Sequence, residues 1–312
     1  MMRQYLMVLT VAITVTMLGI GISSAQSIPD GSKARPLRVM LVPADGGTED
    51  GTKADFLPVF NAVSRVTGLN FDIKVGQSYG AVVEGMANGL ADIGFFGPVT
   101  YLQAKERGGA ELLAVGVEKG QSVYYSALFV RANSPIKTIT GLKAKRVSFG
   151  DVNSTSSFAF PVAMLIAAGV DPARDLGGVV MAGSHANSLK ALQEGHVDAA
   201  AASFDSFEKA VAQGAIKADE LRVLAKSDPI PYPPLAMHPK LPPDLKAKLK
   251  KAFHTVHTAP GVNRDMIRGY GGAKLDRYDA EYPEEKMAAA LAKLSKVNDD
   301  VKGRMLQRAS QR

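Results

Sequence analysis

The sequence predicts an α/β fold with two similar lobes and a ligand cleft between them. Apolar stretches with the composition of strands alternate with stretches whose apolar residues have helical spacing. This alternation starts again near residue 146. The two halves also share small features at a constant offset along the chain, which indicates two related lobes.

Strands and helices can be placed in order along both halves. The first half predicts strands at residues 37–42, 71–75, 91–96, 112–117 and 124–130, and helices at 54–66 and 79–87. The second half predicts strands at 146–149, 179–181 and 197–202, and helices at 160–168 and 186–192. Such alternation is typical of a mostly parallel sheet with helices on both faces.

The internal repeat joins a helix start, a glycine and an aspartate in each half. The matched pairs are Ser78-Tyr79 with Ser184-His185, Gly89 with Gly195, and Asp92 with Asp198. We expect the glycines to end helices in the left-handed conformation and the aspartates to cap turns.

A proline-rich segment indicates where the chain returns from the second lobe to the first. Residues 229–234 (Pro-Ile-Pro-Tyr-Pro-Pro) form a stiff, extended segment. We therefore assign residues 36–126 to the first part of lobe one and 127–229 to lobe two. Residues 230–312 return to lobe one, on which we expect the C-terminal helices at 244–258 and 284–297 to lie. Ligands of open α/β sheets bind beyond the carboxyl ends of the strands, so the cleft is the expected site.

The first 25 residues have the pattern of a signal peptide. Arg3 is the single charge before an apolar run at 5–22, and Ser23-Ser24-Ala25 supplies small residues for cleavage. A single-pass anchor is the alternative. The chain contains no cysteine, so we expect neither a lipid anchor nor disulfides nor thiolate metal sites. The mature protein should be free in the periplasm.

The net charge of +7 is spread along the chain. Its densest part, the lysines of residues 246–251, shares an amphipathic helix with Leu245, Leu249 and Phe253, which is typical of a solvated face. We therefore expect no nucleic-acid partner, and only a mild attraction for anions.

The segment with the most chemical information is residues 150–158, which leave a predicted strand and enter a predicted helix. Ser154, Thr155 and Ser156 place three hydroxyl groups beside the free N–H groups of a first helical turn. Helix N-termini of this kind bind anions without any lysine or arginine. The alternative is a serine-rich helix cap, because serine and threonine are preferred at that position.

Four further polar residues follow strand ends on the same predicted edge. His185 and Asp205 lie in lobe two, and Tyr79 and Tyr101 lie in lobe one. Each has a plain structural explanation by itself, since tyrosines are usually half buried. Their convergence on one cleft favours a binding site.

Several of these segments resemble the phosphate-, phosphite- and phosphonate-binding proteins of ABC importers (PhnD-type). They are residues 151–158 with their Asn-Ser-Thr-Ser, residues 182–187 with their Gly-Ser-His, Tyr79-Gly80, and residues 96–101. The resemblance extends from about residue 37 to about residue 294.

The resemblance implies a type II periplasmic binding fold, a small oxyanion ligand, an inner-membrane permease as partner, a monomer and no cofactor. It also implies that Ser154, Thr155 and Ser156 hold the phosphonate oxygens, with Tyr79, Tyr101 and His185 completing the site. Asp205 stands where aminoalkylphosphonate binders place an acid. A second acid of those binders is missing from residues 230–234, which favours phosphite, phosphate or methylphosphonate over 2-aminoethylphosphonate.

Three other functions remain open at this level. Ser154, His185 and Asp205 are the residue types of a hydrolase triad, although no Gly-x-Ser-x-Gly motif is present. His254 and His257 could share a helix face, but no further ligand accompanies them at metal-binding spacing. The same fold could also report to a membrane sensor kinase instead of a permease.

Overall fold

The computed structural model describes residues 29–44 and 49–311. The predicted signal peptide lies outside this part of the chain. Within it, the strands form two large sheets joined by a two-stranded ribbon. No helix there has the length and apolar character needed to cross a membrane.

The first sheet has six strands in the order β2-β1-β3-β12-β4-β13. Its strands are β1 (Leu37–Leu41), β2 (Phe71–Val75), β3 (Ile93–Phe95), β4 (Glu111–Val117), β12 (Pro234–Met237) and β13 (Arg277–Asp279). β1, β2 and β3 are parallel, and the returning strand β12 is antiparallel to both of its neighbours. The associated helices are α1 (Glu49–Thr67), α2 (Tyr79–Ala87), α3 (Pro98–Gly108), α7 (Pro243–Thr255) and α8 (Glu285–Leu291).

The second sheet has five strands in the order β10-β6-β9-β7-β8. Its strands are β6 (Ser126–Arg131), β7 (Arg146–Phe149), β8 (Gly178–Met181), β9 (Ala199–Ser203) and β10 (Leu221–Lys226). The associated helices are α4 (Phe160–Ala167), α5 (His185–Gln193), α6 (Phe204–Ala212) and α9 (Asp299–Ser310). The parallel strands β8-β7-β9 repeat the arrangement of β2-β1-β3, so the lobes are built alike.

The ribbon between the sheets contains both crossings of the chain. β5 (Val123–Tyr124) and β11 (Ile230–Pro231) pair in antiparallel register, with Ile230 opposite Tyr124. The strand predicted at 124–130 is therefore two strands, because the chain leaves the ribbon at Tyr125 and enters β6.

The repeated aspartates have a different task from the predicted one. The Asp92 carboxylate accepts the Arg38 N–H at 2.7 Å, and the Asp198 carboxylate accepts the Arg146 N–H at 2.9 Å. Each aspartate thus fixes the start of the neighbouring central strand instead of capping a turn. Gly89 and Gly195 do have positive φ angles, +69° and +79°, as the repeat predicts.

The last helix corrects our expectation that the C-terminal helices lie on lobe one. α7 and α8 do so, but Val301 and Met305 of α9 are buried in the core of lobe two. Arg304 of the same helix forms an ion pair with Asp171 at 3.2 Å. The chain therefore crosses between the lobes a third time before it ends.

Candidate functional site

The carboxyl ends of β1, β3, β7 and β8 face one another across the cleft, and a cavity lies between them. Its empty volume is about 240 Å³, part of which is open to solvent. The lining residues are Val42, Ala44, Tyr79, Phe95, Gly97, Tyr124, Ser154, Thr155, Ser156, His185, Pro233 and Tyr270. Both lobes and the ribbon contribute to this wall, so the site is complete only where they meet.

Ser154 caps a helical turn and also lines the cavity. Its Oγ accepts the Ser157 N–H at 3.1 Å and so caps the π-helical turn Thr155–Ala159 that leads into α4. The same Oγ lies 3.4 Å from His185 Nε2 and lines the cavity. π-helical turns occur frequently at functional sites. The cap Ser154 and the first two residues of this turn, Thr155 and Ser156, all line the cavity.

Thr155 joins the two lobes. Its Oγ1 accepts the N–H of Val99, in the first turn of α3, at 2.9 Å. A Cβ at Gly97 would lie 3.0 Å from that oxygen, so glycine permits the close approach. On the same side, Gln103 Nε2 donates to Asn153 Oδ1 at 3.3 Å.

His185 is a hydrogen-bond donor toward the cavity. The Ser203 N–H donates to His185 Nδ1 at 2.9 Å, so a neutral imidazole carries its proton on Nε2, the nitrogen beside Ser154. A hydrolase triad needs the opposite tautomer, with an unprotonated Nε2 to accept the serine proton. This geometry argues against the hydrolase hypothesis.

Tyrosines complete the wall, and two of the three were missed by the sequence. Tyr79 begins α2 and lines the cavity as predicted. Tyr124 and Tyr270 line it as well, from the ribbon and from the returning segment. Burial raises the pKa of Tyr124 well above its usual value, although hydrogen bonds with Ser156 and Thr155 oppose this. Its phenol is therefore protonated at neutral pH.

Tyr101 and Asp205 are not among the lining residues. The Tyr101 hydroxyl donates to Glu284 Oε1 at 2.7 Å. Burial raises the pKa of Glu284, but hydrogen bonds from Lys105 and Tyr101 outweigh this and hold it below the usual value. Asp205 lies in the first turn of α6, where Gly271 packs against it.

The electrostatics of the cavity come from dipoles. None of the described lining residues is a lysine, arginine, aspartate or glutamate. The π-helical turn, α2, α3, α5 and α6 all begin at the cleft, with serine caps on all but α3. Helix N-termini carry about half a positive charge each, so the cavity suits a small anion.

A buried ion pair closes one side of the cleft. Lys209 Nζ on α6 contacts both carboxylate oxygens of Asp55 on α1, at 2.7 and 2.8 Å. The side chains are 11% and 6% exposed. Because α1 belongs to lobe one and α6 to lobe two, this pair exists only while the lobes are in contact.

His254 lies in the last turn of α7, and His257 lies in the 3-10 turn that follows it. His254 Nδ1 accepts the Ala280 N–H at 3.3 Å. Within the described ranges, no group of three His, Cys, Asp or Glu side chains could hold a metal ion.

A comparison with models of known protein families shows which family the chain belongs to. Residues 47–281 match the periplasmic substrate-binding protein of phosphonate ABC transporters. The chain belongs to this family. Members of the phosphonate-binding family are substrate-binding proteins of ABC transporters rather than enzymes, and the fold described above is their two-lobed fold.

Known proteins show the same relationship. The chain is 31% identical over 231 residues to a phosphate-import protein of Mycolicibacterium smegmatis, covering 70% of each chain. The binding protein of a Pseudomonas aeruginosa phosphonate transporter superposes with a TM-score of 0.71 at 22% identity, covering 88% of this chain and 99% of that one. A Prochlorococcus marinus protein in complex with methylphosphonate superposes with a TM-score of 0.66 at 20% identity, covering 87% and 98%.

Proposed function

We propose that the protein captures phosphite, phosphate or a small phosphonate in this cavity and delivers it to the permease of an ABC importer. It acts as a periplasmic monomer after removal of a leader that ends near Ala25, with no nucleic-acid partner. The family membership supports the ligand class and the transporter, and the cavity supports the size and charge of the ligand.

One observation supports an oxyanion as the ligand. Ser154, Thr155, Ser156 and His185 meet at the start of a helix-forming turn, and all four are buried. Each can donate a hydrogen bond to an anionic oxygen, and such charge-assisted bonds are the strong ones. A tetrahedral oxyanion offers several acceptors to this one-sided set of donors.

The composition of the wall also disfavours an amine on the ligand. An ammonium group needs a carboxylate when it is buried, and the described lining contains none. Asp205, which the family resemblance predicts in the site, packs against Gly271 and is not among the lining residues. Phosphite, phosphate and methylphosphonate therefore fit better than 2-aminoethylphosphonate.

A thermal-shift and calorimetry panel tests the proposal. Phosphite, phosphate, hypophosphite, methylphosphonate, 2-aminoethylphosphonate, sulfate and arsenite are compared, because a ligand that binds the folded state raises the melting temperature. At least one of phosphite, phosphate and methylphosphonate should bind tightly. Binding of sulfate alone, or of no phosphorus oxyanion, would contradict the proposal. Mass spectrometry of the periplasmic fraction should find an N-terminus near Gln26.

A further inference from the structure

Tyr270 is held in the cavity wall by hydrogen bonds to the opposite lobe. It belongs to the core of lobe one, yet its hydroxyl lies 2.8 Å from both Ser203 Oγ and Ser206 Oγ at the start of α6. These two serines also contact each other at 3.1 Å. The phenol hydroxyl thus lies at the N-terminus of α6, next to the turn that contains Asp205.

The ring of Tyr270 is surrounded by other rings of the wall. Its centroid lies 6.0 Å from Phe95, 5.9 Å from Tyr124 and 6.0 Å from His185. Aromatic pairs at these distances stabilise one another. A ring packed on three sides cannot turn aside to make space for a larger ligand.

The backbone that carries this ring is fixed as well. Gly271 and Gly272 have φ angles of +67° and +71°, which residues other than glycine rarely adopt. A Cβ at Gly271 would lie 3.1 Å from Asp205, and one at Gly272 would lie 3.0 Å from Asp55 Oδ1. The backbone that follows Tyr270 is therefore packed closely between α6 and α1.

We propose that Tyr270 determines ligand size, by closing the part of the cavity into which a substituent on phosphorus would extend. This inference rests on the proposed function. Hydrogen, hydroxyl or methyl substituents fit beside the ring, whereas longer alkyl and aminoalkyl chains meet it. Asp205 is not among the residues that line the cavity, so a longer aminoalkyl chain meets the ring before it reaches a carboxylate.

The test compares the affinity for methylphosphonate with that for propylphosphonate. In the wild-type protein methylphosphonate should bind at least about 100-fold more tightly, since one methylene alone can change affinity by roughly 10–200-fold. Tyr270→Ala should narrow this ratio at least about tenfold, and Tyr270→Phe, which keeps the ring, should retain it. Tyr278→Phe is the matched control, because it alters a buried tyrosine that is not among the lining residues.

The ratio remains informative if a variant weakens all binding. Should Tyr270→Ala not fold, Tyr270→Leu removes the ring and keeps an apolar side chain of intermediate size. A wild-type ratio near one, or a ratio unchanged in the folded variants without the ring, would overturn the role of Tyr270. Failure of the wild-type protein to bind any phosphorus oxyanion would instead refute the proposed function.

Discussion

Replacing Thr155 with valine tests whether the hydroxyl groups of the π-helical turn bind the ligand or only shape the turn. Valine keeps the volume of threonine and removes Oγ1, which lines the cavity and accepts the Val99 N–H at 2.9 Å. A hydrogen bond to a charged group contributes about 1.5–3 kcal/mol, and the neutral bond to Val99 about 0.5–1.5 kcal/mol. Together they amount to about 2–4.5 kcal/mol.

At about 1.4 kcal/mol for each factor of ten, the affinity should fall between about 30-fold and about 1,600-fold. Isothermal titration calorimetry with the tightest-binding oxyanion measures this. The melting temperature without ligand should change little, since the Val99 N–H can bind water when the lobes separate.

Ser157→Ala provides the matched control. Ser157 lies in the same turn and is fully buried, but it does not line the cavity, and its Oγ has no hydrogen-bond partner among the described residues. Its removal should leave the affinity within about twofold, since no ligand bond is lost. Equal losses in Thr155→Val and Ser157→Ala, or an affinity within about threefold of wild type for Thr155→Val, would refute the reasoning.

Three further predictions concern contacts around the site. Asp55→Asn removes the buried ion pair with Lys209, which exists only in the closed form. Ligand dissociation, measured by stopped-flow, should therefore accelerate at least about tenfold. The control Asp72→Asn, which removes an exposed ion pair, should leave the dissociation rate unchanged. Because the folded pKa of Glu284 is lowered, its carboxylate stabilises the protein above the ordinary value of 4.5 and loses this effect as the pH falls through the folded pKa. The melting temperature of the wild type should therefore drop more steeply than that of Glu284→Gln between about pH 5 and about pH 3. Tyr101→Phe should leave ligand affinity within about twofold, because its hydroxyl contacts Glu284 instead of the cavity.

Clear outcomes would contradict each of these. Unchanged dissociation in Asp55→Asn would show that the pair does not hold the closed form. Parallel acid profiles for wild type and Glu284→Gln would show that this carboxylate does not gain stability from its neighbours. A tenfold loss in Tyr101→Phe would restore Tyr101 to the binding site.

The parts of the site that the sequence predicted are those that follow parallel strands. Ser154, His185 and Tyr79 each stand where a strand ends and a helix begins, and the carboxyl ends of parallel strands meet at one edge of a sheet. The repeat of the two halves therefore brought residues far apart in sequence to the same cleft.

The missed residues come from segments without such periodicity. Tyr124 lies in a two-residue strand of the ribbon, and Tyr270 lies in a glycine-rich 3-10 turn, so neither pattern indicates which way the side chain faces. Tyr101 was favoured because it follows β3, but it is not among the lining residues, and the contact of α3 with Thr155 comes from the backbone N–H of Val99. α9 was missed because its contact with lobe two depends on tertiary packing after a third crossing.

A crystal structure of the protein with methylphosphonate tests the central claim most directly. We predict that the phosphonate oxygens lie within about 2.5–3.0 Å of the Ser154, Thr155 and Ser156 hydroxyls and of His185 Nε2, as in charge-assisted hydrogen bonds. The methyl group should face the ring of Tyr270. A ligand held by lysine or arginine side chains, or bound away from the π-helical turn, would contradict the account.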